Sequence, residues 1–270
     1  MASAKVTAAS TAPSADFDAK VRKLRWWNIV VGVVLLAQAV VIGVLSTDFR
    51  LPVVGNFMSG PPGTPAGEPT QLGGFPLAWG VFAFLALSGL ALLIMAAPGV
   101  FGWYKRNLLQ QRNYGRWIEY SVTSSLMIVL IVMICGVSDV AALMAIFGVN
   151  ASMILFGLLM EKYEKPGNPN WLSFLFGCFA GIIPWIAVVV YVVSPGLSGA
   201  NPPGFVYGII ASLFVFFNIF AVNMVLQYKQ VGKWRDYLFG EKAYIILSLT
   251  AKALLAWQVF SAVLAGSGTS

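Results

Sequence analysis

The sequence contains no histidine, which removes the commonest metal ligand and the usual neutral-pH acid–base group. Cysteine is nearly absent as well. Cys135 and Cys178 both fall inside apolar runs, where a thiol behaves as a small hydrophobe, so neither a disulfide framework nor a metal cluster is indicated. Charge is the third scarcity: only 10% of the 270 residues are charged, against roughly 25% in a soluble domain. A chain that cannot coat itself with charge needs an apolar solvent, and 59% hydrophobic residues with a mean hydropathy of +0.80 identify that solvent as lipid. Composition alone excludes a soluble nucleotide-binding enzyme, a disordered chain and a small disulfide-stapled domain. No nucleophile–base pair, metal set or phosphate loop stands out, and the expectation is that the protein is not an enzyme.

What the chain does have is long apolar runs. A helical span needs about 20 mostly apolar residues at about 1.5 Å of rise each. Seven stretches qualify: Trp26 to Leu45, Pro76 to Ala97, Tyr114 to Val137, Val140 to Met160, Asn170 to Ser194, Pro203 to Gln227 and Glu241 to Ala265. Short connections such as Lys162 to Pro169 and Pro195 to Pro202 make sequential neighbours antiparallel. The expected fold class is an all-α integral membrane bundle of seven helices (26–266), preceded by a polar segment (1–25). The first long connection (46–75) carries the run Gly60, Pro61, Pro62, Gly63, Thr64, Pro65, and its structured reading is a small β-ribbon. Gly177 with Gly181 and Gly148 with Ser152 are small-residue pairs at helical spacing, suited equally to packing inside the bundle and to a dimer face.

The net charge of +7 is distributed unevenly. Lys5, Lys20, Arg22, Lys23 and Arg25 precede the first span. Lys105, Arg106, Arg112 and Arg116 follow the second, Lys162 and Lys165 the fourth, and Lys229, Lys233, Arg235 and Lys242 the sixth. The other side has only Arg50. Because basic residues are retained in the cytoplasm, the amino terminus is expected there and the carboxyl terminus outside the cell membrane. No cleavable signal peptide is evident ahead of the first span. The basic groups read as orientation signals and lipid-headgroup contacts, with no nucleic acid implied.

Only two charges lie well inside spans, Glu119 and Lys252. Lys252 is roughly 17 Å into the last span, too deep to reach either surface easily. A structural ion pair is one reading. At about 4 Å and an effective dielectric near 20 the attraction is about 4 kcal/mol, comparable to the insertion cost of one group, roughly 2.5 to 3.5 kcal/mol, and not of both. The other reading is a nucleophile, since desolvation favours the uncharged amine that forms a Schiff base with an aldehyde. Ser248 lies one turn before the lysine, and Thr123 and Met127 follow Glu119 on the same face. Bulky rings are available at Trp185, Phe214, Phe216, Phe217, Phe220 and Trp257. An apolar slot with a charged pair at one end suits a long conjugated aldehyde.

Seven helices with a mid-span lysine in the last resemble a retinal-binding rhodopsin. Arg116, Trp117, Ile118, Glu119, Tyr120, Ser121, Thr123, Ser124 and Ser125, with Ser248, Leu249, Thr250, Ala251, Lys252, Trp257 and Gln258, resemble the third- and seventh-helix signatures of the heliorhodopsin family. That family also has a cytoplasmic amino terminus. The resemblance implies all-trans retinal as cofactor, Lys252 as its attachment site and Glu119 as counterion. Ser248 and Thr123 belong to the surrounding hydrogen-bonding shell, with Asn113 and Tyr120 nearby. Ser124, Met127, Trp185, Phe214 and Phe217 complete the expected binding set, and no metal is implied.

In proton-pumping relatives a second carboxylate lies one turn before the lysine and a proton donor eleven residues after the counterion. Here Ser248 and Leu130 occupy those places and cannot relay a proton. The family often keeps buried histidines in its first two helices; Gln38 and Ser88 are the polar replacements on offer. The resemblance further implies a homodimer through the fourth and fifth helices and a β-ribbon in the long first loop. The functional expectation is a light sensor with a slow photocycle that signals to a downstream partner. A light-driven ion translocator is the rival within photobiology, and a chromophore-free transporter or scaffold the rival outside it.

Overall fold

The computed structural model describes residues 14–65, 67–194 and 204–267. Lys5 and the Pro195 to Pro202 connection lie outside the described residues. Eight α-helices and one two-stranded ribbon follow in order: α1 (Ala15–Val44), β1 (Arg50–Gly55), β2 (Thr70–Pro76), α2 (Leu77–Ala96), α3 (Pro98–Leu109), α4 (Tyr114–Ile134), α5 (Val140–Tyr163), α6 (Leu172–Val193), α7 (Gly204–Tyr228) and α8 (Tyr237–Ser267). All but α3 are long and apolar enough to cross a membrane. The protein is a seven-span membrane bundle.

Local chemistry fixes the helix ends. The first helix begins at Ala15, well ahead of the expected Trp26, because the Ser14 side chain caps it by accepting from Phe17 N (3.2 Å) and Asp16 and Asp18 suit the positive end of the helix dipole. This polar extension is tied down by Lys20 to Asp16 and Asp236, and by Asp18 to Lys105. Asn113 caps α4 by accepting from Arg116 N, and Asp139 caps α5 by accepting from Ala142 N. Between those helices Gly136 takes a φ of 105°, the left-handed geometry that ends a helix cheaply only at glycine.

A helix not anticipated from the sequence is α3. Pro98 at its first position starts it, and its 12 residues are too few to cross a bilayer. Tyr104, Asn107 and Leu108 face inward, while Trp103 and Arg106 are exposed.

The ribbon pairs β1 and β2 antiparallel, from Arg50 opposite Pro76 to Gly55 opposite Thr70. Val54 N donates to Ser138 O (2.9 Å) and Asn56 Nδ2 to Asp139 (3.2 Å), so the ribbon is stitched to the turn between α4 and α5. Outward positions such as Met144, Phe179 and Val189 are exposed and apolar, as a lipid-facing surface requires. The interior is closed by Leu35, Phe84, Leu85, Ile128, Leu130 and Leu255, all fully buried. Where α1 crosses α2, a Cβ on Gly89 would lie 2.8 Å from Gly32 O, so glycine is what lets the two backbones meet.

Candidate functional site

Five side chains from three helices meet around one carboxylate oxygen and one amine. Lys252 Nζ, on α8, lies 2.7 Å from Glu119 Oε1 on α4, with side chains 5% and 7% exposed. The same oxygen accepts from Thr123 Oγ1 at 2.7 Å and from Ser88 Oγ of α2 at 2.5 Å. Lys252 Nζ also donates to Ser248 Oγ at 3.0 Å, one turn earlier on α8. The Tyr120 ring centroid is 5.0 Å from the amine, and its hydroxyl donates to Tyr244 O. A buried charge needs compensation on all sides, and here each ion has the other plus hydroxyls.

The amine projects into a cavity of about 420 Å³ bounded by α4 to α8. Thr123, Ser124, Met127, Tyr120, Ser248 and Lys252 form the polar end of its lining, and Trp185, Phe214 and Phe217 the aromatic walls. Trp185 meets Phe214 and Phe217 edge-on, with centroids 5.1 and 5.6 Å apart. The space depends on missing side chains: a Cβ on Gly157 would strike the Trp117 ring, and one on Gly181 the Met153 sulfur. Gly177 and Gly181 therefore serve the contact between α6 and α5 within the bundle.

Asn113 stands apart from the other expected residues. Its backbone N donates to Glu161 Oε2 and its Nδ2 to Glu241 Oε2, both at 2.7 Å, in a separate buried cluster with Arg116. Phe216 and Trp257 do not line the cavity; Trp257 is partly exposed and donates to Gln38 on α1. Leu130 is in the core.

Several contributors escaped sequence reasoning. Asn150 of α5 donates to Ser124 and Ser125 Oγ, fixing the polar edge of α4. Met153, Phe174 and Tyr244 add to the lining. None carries a spacing signal, because each is brought to the cavity by helix packing alone.

A family model matches residues 24–264, and its description is Heliorhodopsin. The chain belongs to the heliorhodopsin family. No curated protein matches it. As a heliorhodopsin it is a light-sensing retinal protein of the microbial rhodopsin kind, embedded in the membrane, and its family is not a known class of enzyme. The chemistry of the cavity fits such a group. A volume within the roughly 300–1,000 Å³ of small-molecule sites, apolar walls and a single amine at one end are what an elongated apolar aldehyde requires.

Proposed function

We propose that this heliorhodopsin is a light sensor in which all-trans retinal is attached to Lys252 and balanced by Glu119. The observation that carries the reading is the 2.7 Å contact between Lys252 Nζ and Glu119 Oε1 at the end of a ring-lined cavity. A purely structural ion pair would need no such cavity beside it. When bound, retinal supplies an aldehyde that condenses with the amine, losing water, and a polyene that isomerises on absorbing light.

The protein's part is to place and insulate that group. Glu119 Oε1 holds the proton at Lys252 Nζ by charge, while Thr123 and Ser88 keep the carboxylate in position. Ser248 orients the amine. Trp185, Phe214 and Phe217 exclude water and restrict how a bound ligand can bend. With Ser248 and the core residue Leu130 at the positions a proton relay would use, the reading is sensing through a slow dark recovery, without proton pumping. Met144, Gly148, Ser152, Leu155 and Leu159 are exposed on α5 at helical spacing, which favours a homodimer through α5 and α6, the fourth and fifth membrane spans. The basic connections favour a cytoplasmic amino terminus, and the signal would pass to a partner on that side.

Adding retinal to the expressed protein tests the assignment. A visible band that hydroxylamine bleaches is expected, together with its complete loss in Lys252→Ala. Persistent colour in that variant would refute the attachment. Illuminated vesicles should show no net pH change or current; a sustained one would favour the ion translocator.

A further inference from the structure

Away from the amine, the bundle buries a second set of charges. Arg116 lies in the first turn of α4, Glu161 in the last turn of α5 and Glu241 near the start of α8, with side chains 5%, 3% and 1% exposed. One guanidinium thus serves two carboxylates, giving its Nη2 to Glu161 Oε1 and its Nη1 to Glu241 Oε1.

The two carboxylates are not equivalent. Glu161 receives four donors, two on each oxygen: Arg116 Nη2 at 2.8 Å and Tyr237 OH at 3.0 Å on Oε1, Asn113 N at 2.7 Å and Trp117 Nε1 at 2.6 Å on Oε2. Its acceptor sites are thereby all filled by donors. Glu241 receives one donor on each oxygen, Arg116 Nη1 on Oε1 and Asn113 Nδ2 on Oε2.

Among the described residues facing the cluster, no second cation balances it. Tyr104 of α3, Tyr228 of α7, and Tyr237 and Tyr244 of α8 contribute phenols, and burial holds the Tyr104 phenol above the ordinary tyrosine range. Lys242 turns away to the Trp27 ring of α1, 4.8 Å from its centroid. Two ionised carboxylates would leave one uncompensated negative charge in a dry site. Arg116 Nε is moreover buried without a partner. Asn28 lies against Tyr104, which in turn faces Glu241.

We propose that Glu241 holds a proton at neutral pH, so that Arg116, Glu161 and Glu241 form a one-proton site separate from the Lys252–Glu119 pair. The site shares walls with the cavity. Trp117 lines the cavity and donates to Glu161, and the Tyr244 ring lines it with its centroid 3.9 Å from the Arg116 guanidinium carbon. Movement of the Trp117 ring changes the donors around Glu161, and movement of the Tyr244 ring changes the seat of the guanidinium, and thereby the hold on the proton. In a chain without histidine this gives the cavity an exchangeable proton at its flank.

Infrared spectra of the full chain in lipid, taken in darkness before any chromophore is added, test the site. At neutral pH the wild type should show the carbonyl stretch of a protonated carboxylic acid, downshifted in heavy water. The band should be lost in Glu241→Gln. It should also be lost in Glu161→Gln, although Glu241 is still present, because Arg116 then balances a single carboxylate and the proton is no longer needed. Absence of the band in the wild type overturns the proposal without recourse to any variant, as does its survival in either substitution. A merely structural cluster of three ions would show no such band at all.

Discussion

Glu119 Oε1 is the most heavily used atom of the site, accepting from Lys252, Thr123 and Ser88 at once. In the retinal-loaded protein, Glu119→Gln removes the charge while keeping the shape. The absorption band should then move, to longer wavelength where the imine keeps its proton and to the near ultraviolet where it does not. An unmoved band across the accessible pH range would remove Glu119 from the counterion role. Thr123→Ala deletes one hydrogen bond to a charged acceptor, worth about 1.5 to 3 kcal/mol, and should shift the same band less than Glu119→Gln does; a larger shift would mean the hydroxyl has a role beyond positioning. Lys252 and Glu119 were legible in the sequence because a charge inside an apolar run stands out. Arg116, Glu161 and Glu241 were not, because charges near span ends ordinarily face water. Only the meeting of three helix ends buries them, which no single stretch of sequence reveals. Asn113 was read as a neighbour of the amine and instead caps α4 beside those ions.

At the scale of elements, the glycines are the points of least tolerance. Gly89→Val would drive a side chain into the backbone of α1, and overpacking of this kind costs about 1 to 3 kcal/mol; a lower thermal midpoint is expected, and an unchanged one would mean the helices separate without penalty. Gly181→Leu acts differently, since it projects toward Met153 at the cavity wall. It should reduce retinal uptake more than it lowers the stability of the retinal-free protein; equal uptake would exclude α6 from the binding wall. The seven spans were readable from hydropathy because lipid demands unbroken apolar runs. The polar start of α1 and the whole of α3 were not, since both carry mixed composition and are held by caps and ion pairs. The ribbon was foreseeable from the length and the Gly/Pro content of its loop, but its attachment to the turn at Ser138 and Asp139 depends on tertiary contact.

For the whole molecule, two expectations concern its setting. Impermeant labels on intact cells should reach a cysteine placed near the carboxyl terminus and not one placed near the amino terminus; the reverse would invert the proposed orientation. Replacing Gly148 with a bulky residue should convert a detergent-solubilised dimer to monomer without loss of colour, since an added Cβ there meets nothing within 4 Å inside the protomer. A dimer that survives would move the interface elsewhere. The family was legible because its two signatures fall on the helices that carry the ion pair, whereas the cavity walls, contributed by α5 to α7, were recognisable only as rings without an address.

The seam between α1 and α8 has a consequence for biogenesis. It is joined by Lys20 with Asp236, the residue just before α8, by Trp27 with Lys242 and by Gln38 with Trp257, the last two residues 219 positions apart in the chain. During synthesis the first helix therefore waits, one flank bare to lipid, until the ribosome has delivered the last. Since the attachment lysine arrives on that final helix, colour can develop only after the ring of helices is complete, and its appearance would serve as a clock for the end of assembly.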